Sequence, residues 1–148
     1  MPPNPGTEAV MIENSLTHPC PTQAVDRLAD ALRDELLEYG HLLQLLRAQQ
    51  RMILEEDLME LSGNINAVNQ QMKQIVFSRK QREYWREETL CWLEAKADMS
   101  WAQMVGQLPE NHQILLQALV DEINHSLDSI HGLLCQNQQL NLRALILR

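Results

Sequence analysis

After Pro21 the chain contains a single proline, Pro109, and only four scattered glycines, Gly40, Gly63, Gly106 and Gly132. Proline and glycine are the residues that stop helices, so a stretch nearly free of both is committed to long ones. Within it, apolar residues recur three and four apart, the spacing of a helix that packs along one stripe. The closing segment is the clearest case, with a seam of Leu116, Leu119, Ile123, Ser126, Ile130, Leu133, Asn137, Leu140, Ala144 and Leu147. Toward its end Leu142, Leu145 and Ile146 add apolar groups outside that seam. An intramolecular core covers one stripe of a helix; apolar surface all round a terminal segment points to a partner.

The first helix starts near Thr22 as N-cap, with the seam Leu32, Leu36, Tyr39, Leu43, Leu46, Gln50 and Ile53. Leu37, Leu42, Leu45 and Leu54 widen the stripe, as expected for a helix with two neighbours. Gly40 either permits a close helix approach or has no packing role. Glu55-Glu56-Asp57 marks a corner with Asp57 as the next N-cap, although without Gly or Pro a continuous kinked helix is an alternative. The second helix has the apolar line Leu58, Leu61, Ile65, Val68, Met72 and Ile75. Continued, heptad counting brings Arg79, Arg82 and Arg86 inside, which is costly unless they are paired. The expectation is that this helix projects past its partners there. Ser100-Trp101-Ala102-Gln103 reads as a capping box opening a short helix that Gly106 ends, and Pro109 starts the last helix.

The fold class is therefore all-α: an elongated antiparallel bundle of three long helices plus a short extra one, with coiled-coil-like packing. Residues 1–21, rich in proline and aperiodic, read as a disordered arm, and 22–148 as one helical-bundle domain.

A formal net charge of −8 argues against nucleic acid as a partner, since phosphate binding requires an excess of Lys and Arg. The run Arg79-Lys80-Gln81-Arg82 is better read as a solvated helix face paired with Glu83, Glu87 and Glu88. No charged and apolar leader pattern opens the chain, and no apolar run is long enough for a membrane span. Cys20, Cys91 and Cys135 form an odd set without metal spacing. They read as reduced thiols in a cytoplasmic protein, Cys91 and Cys135 being placed as buried and inert.

Signs of chemistry are weak. Glu38/His41 and Glu122/His125 are Glu-x-x-His pairs, the motif of a di-iron bundle. Helical phase turns both pairs outward, and the seam of the second helix contains no Glu ahead of its arginines. His18, His112 and His131 have no ligand spacing. No phosphate loop or nucleophile pattern is present. The reading is that the protein is not an enzyme and uses no metal or cofactor.

The run LRDELLEYGHLLQLLRAQQRMILEEDL, the arginines ending the second helix (Arg79, Arg82) and the closing Leu133-x3-Asn137-x3-Asn141 pattern together resemble the FlgN-type flagellar export chaperones, from about Ala24 onward. That resemblance implies a cytoplasmic protein of flagellar type III secretion. It would bind the C-terminal amphipathic segments of hook-associated proteins, prevent their premature polymerisation and deliver them to the export apparatus. The surface expected to grip such a segment is Leu133, Leu134, Asn137, Leu140, Asn141, Ala144, Leu145 and Leu147. The alternative is a structural coiled-coil or adaptor protein that uses the same stripe to form a homodimer.

Overall fold

The computed structural model describes residues 21–146, with side chains placed from 23 to 143. Three long helices and one short one make up the chain, and no strand occurs among the described residues. They are α1 (Pro21–Leu54), α2 (Leu58–Trp92), α3 (Trp101–Gly106) and α4 (Glu110–Ile146). The segment expected to be a disordered arm lies outside the described residues except for Pro21, which opens α1. Proline suits a first turn because the amide hydrogen it lacks has no helical acceptor there.

The break between α1 and α2 is real, and it is made without glycine. Glu56 takes a left-handed φ of 55°. Asp57 N donates to Met52 O and Glu56 N to Ile53 O, the paired bonds that close a helix C-terminus. Asp57 then caps α2, its carboxylate accepting from Glu60 N at 3.1 Å. The end of α2 repeats the device. Glu94 sits at φ 51°, with Ala95 N bonded to Leu90 O and Glu94 N to Cys91 O. Ser100 and Gln103 form the expected reciprocal capping box. Pro109 accepts the first backbone bond of α4 from Gln113 N.

The path is up, down, up. Helix α1 is central: α2 packs along it antiparallel and α4 packs along it parallel, while α3 lies against α4. Cross-links set the directions. Asn64 reaches Leu45 and Arg82 reaches Glu35, so α2 runs against α1. His112 lies near Asp26 and Asn137 reaches Leu46, so α4 runs with it.

The two ends of the bundle differ. At the base, where α1 and α4 begin and α2 ends, Val25, Leu28, Ala29 and Leu32 bury against Leu90, Met104, Val105, Leu108 and Leu116. At the other end, the tip, lie the α1–α2 corner and the last described turns of α4.

The seams of α1 and α4 follow the sequence. In α4, Leu116, Ile123, Ile130 and Asn137 are buried at every seventh position. In α1, Leu32, Tyr39, Leu43, Leu46 and Ile53 are buried. Helix α2 is rotated from its apolar line. Its buried residues are Asn64, Ile75, Ser78, Thr89 and Leu90, while Leu58, Ile65 and Met72 are 60%, 45% and 46% exposed.

Candidate functional site

The tip carries exposed apolar side chains from three chain segments. Leu54 closes α1, Leu58 and Met59 open α2, and Leu142 stands near the end of α4, with exposures of 64%, 60%, 90% and 53%. Leu134, 45% exposed, continues this surface two turns down α4. Among the described residues, packing leaves about half or more of each of these side chains uncovered.

The gripping residues expected from sequence divide by helical phase. Leu133 and Leu140 are half-buried, Leu133 against the core. Leu134 and Asn141 are exposed. Asn137 is buried, and its amide nitrogen donates to Leu46 O and Gln49 Oε1, each at 3.0 Å. Those bonds fix the register of α4 on α1, so the nitrogen is engaged within the bundle and not offered outward. Asn64 makes the matching bond from α2, its amide donating to Leu45 O at 2.9 Å. Two asparagines thus clamp adjacent carbonyls of α1 from opposite sides. Gln50 joins the same level by donating to Gln136 at 3.1 Å. The side chains of Ala144 and Leu145, and the whole of Leu147, lie outside the described residues.

Sequence reasoning did not find Leu54, Leu58 and Met59 as part of this surface. Leu54 and Leu58 had been assigned to seams. The usable signal was their position on either side of the acidic corner, where α1 ends and α2 begins.

Between tip and base lies a second polar feature. Glu35 of α1 is fully buried. Its Oε2 accepts from Tyr39 Oη and from Arg82 Nη1, both at 2.9 Å. Arg79 Nε donates to Tyr39 Oη at 3.0 Å, and its guanidinium lies 5.8 Å from the centre of the Tyr39 ring. Burial pushes the Tyr39 hydroxyl above its ordinary value; the Arg79 bond opposes this and Glu35 reinforces it. The bond to Tyr39 raises Arg79 in turn. Helix α2 therefore does not project past its partners as expected. It is matched to α1 along its length because the arginines have a buried carboxylate to meet. Arg86 instead donates to Met99 O at 2.8 Å, fastening the connection that leads into α3.

Most of the remaining candidates are on the surface, although His112 is half-buried beside Asp26. Glu122, His125 and His41 are exposed; Glu38, 3.8 Å from His41, is turned toward α2 instead of outward and accepts from Gln71 Nε2. No cluster of metal-binding side chains occurs among the described residues. Cys91 and Cys135 are exposed, contrary to the buried placement expected of them, because each falls on a face turned away from α1. No helix among the described residues is long and apolar enough to cross a membrane. Comparisons with protein-family models, with curated proteins and with solved structures find no match.

Proposed function

We propose that this protein is a binding chaperone that holds an amphipathic helical segment of another protein on its apolar tip. The observation that carries the reading is the set of Leu54, Leu58, Met59, Leu134 and Leu142 as exposed side chains toward one end of the bundle, the other end holding the core cluster around Leu28, Leu90, Met104 and Leu116. Leu133, Leu140 and Asn141 adjoin that surface on α4, and Ala144 and Leu145 lie farther along the same helix, with Leu147 next in sequence beyond the described residues. Asn137 serves from below by fixing the helix that presents it. An amphipathic helix docks on such a surface through apolar groups one turn apart. Burying each leucine-sized group contributes about 1.5–3 kcal/mol before ordering costs, so three or four suffice for micromolar binding.

The finer reading follows the FlgN-type resemblance. The held segment is the C-terminal helix of a hook-associated protein, kept from polymerising in the cytoplasm and released at the flagellar export apparatus. No bond is made or broken, so no metal or cofactor enters.

The test uses the full chain and a labelled peptide carrying the C-terminal amphipathic helix of a hook-associated protein. Leu134→Asp with Leu142→Asp replaces two exposed groups and leaves the core untouched. The expected result is native helicity with peptide affinity reduced more than about tenfold, since 1.4 kcal/mol is a factor of ten. Unchanged affinity in the double variant removes the tip as the docking surface. Failure of the wild-type chain to bind the peptide removes the flagellar client.

A further inference from the structure

We propose that His131 and Cys135, on the outer face of α4, form a chelating site for a thiophilic divalent cation of the zinc class. The two residues stand four apart, so they are neighbours on successive turns of one helix face. Both are exposed, and Cys135 Sγ lies 3.8 Å from His131 Nε2. Neither side chain has another hydrogen-bond or ion-pair partner among the described residues. Asn137 anchors the same stretch of α4 to α1, so the pair is carried on a fixed backbone and not on a loop.

Donor type and separation decide what such a pair can hold. Imidazole nitrogen and thiolate sulfur are standard zinc ligands, and sulfur disfavours magnesium and calcium, which take oxygen. Bonds of about 2.3 Å to sulfur and about 2.0–2.1 Å to nitrogen, set at a tetrahedral angle, hold the two donor atoms about 3.6 Å apart. The 3.8 Å found in the chain needs only a small rotation of two exposed side chains to meet that requirement. The other two tetrahedral positions face solvent and take water. Cys135 binds as the thiolate, so its proton passes to solvent as the metal–sulfur bond forms.

Other pairs on the surface lack these properties. Glu38 and His41 also approach to 3.8 Å, but Glu38 offers a hard oxygen and is engaged by Gln71. His112 is half-buried beside Asp26. Cys91 has no histidine against it among the described residues. Counting histidines alone passes over His131, because its partner is a cysteine one turn on. The site uses no residue of the apolar tip and stands independently of the client reading.

Cobalt(II) takes zinc sites and reports a sulfur ligand through a thiolate-to-metal charge-transfer band in the near ultraviolet. The full chain carrying Cys20→Ser and Cys91→Ser keeps Cys135 as its one thiol. Titrated with cobalt at neutral pH, it is expected to develop the band, and added zinc should displace the cobalt. In that background Cys135→Ser should abolish the band. His131→Gln should weaken cobalt binding by about tenfold or more, with helicity retained because the side chain is exposed. Adding Gln139→His to His131→Gln places an imidazole one turn beyond Cys135 and should restore binding. Adding Asp128→His instead places it two turns away and should not. No band at millimolar cobalt overturns the proposal. So does unchanged affinity in His131→Gln, which would make Cys135 a ligand acting alone. Recovery by Asp128→His as complete as by Gln139→His overturns it as well.

Discussion

A fully buried glutamate is the residue whose environment says most about this fold. Glu35 has one oxygen bonded to Tyr39 and Arg82, while Oε1 has no partner among the described residues. Removing one member of a buried ion pair leaves the other charge uncompensated. Arg82→Leu is therefore expected to cost about 3 kcal/mol, with Glu35→Leu/Arg82→Leu recovering most of the loss. Urea midpoints of the two variants and wild type measure this, and equal midpoints for the single and double variants would show that the pair is not coupled. Tyr39 adds a pH dependence. In the unfolded chain it ionises near the ordinary value of 10.0, and in the folded chain only at a higher pH. Below the unfolded value both states keep the proton and stability is intact. As pH rises from there through the folded value, the unfolded state loses its proton first and stability falls. Denaturation midpoints between about pH 9 and about pH 11 should show that decline, and Tyr39→Phe should flatten it.

At the scale of the element, legibility in the sequence depended on what each helix buries. The stripes of α1 and α4 were largely legible because their buried positions are mostly leucine, isoleucine and valine. Leu37 and Leu54, however, expected to widen the α1 stripe, are 58% and 64% exposed, and Glu35 is buried instead. The stripe of α2 was not legible. Its apolar line was followed through Ile65 and Met72, whereas the structure turns Asn64, Gln71 and Ser78 toward α1. Its orientation is set by hydrogen bonds to Leu45 O and Glu38 O and by the Glu35–Arg82 pair. None of these shows in a count of apolar residues, because each depends on a partner more than fifteen residues away. The corners were hidden for a related reason. Helix ends of this kind usually carry glycine in the left-handed position, and here they carry Glu56 and Glu94. Glu56→Gly and Glu94→Gly should each raise stability by about 1 kcal/mol by removing the Cβ clash of that conformation. Thermal melts check this; a lower melting temperature would mean that the glutamate side chains contribute more than their backbone costs.

Across the whole molecule, the surface proposed for client binding was only half visible in the sequence. The excess of apolar groups near the end of α4 was plain, but Leu54, Leu58 and Met59 join it only when the chain folds back. Conversely, Asn137 is drawn inward by the neighbour that the fold supplies. Replacing Asn137 with leucine leaves Leu46 O and Gln49 without their donor and frees α4 to shift along α1. Asn137→Leu is expected to change thermal stability by less than about 1.5 kcal/mol while broadening the side-chain resonances of α4, because a polar seam residue sets register more than strength. Sharp, wild-type-like spectra would show that the leucine seam alone holds the alignment.

The parallel run of α1 and α4 also has a practical meaning. Whatever is attached ahead of Pro21 leaves the molecule at the base, and α1 then carries the chain about 50 Å to the opposite extremity. A fluorophore coupled to the first turn of α1, beside Pro21, would stand clear of the end proposed to hold the guest. Tethering there makes the protein a handle with its working end pointing outward, while a tag at the carboxyl terminus would crowd that end.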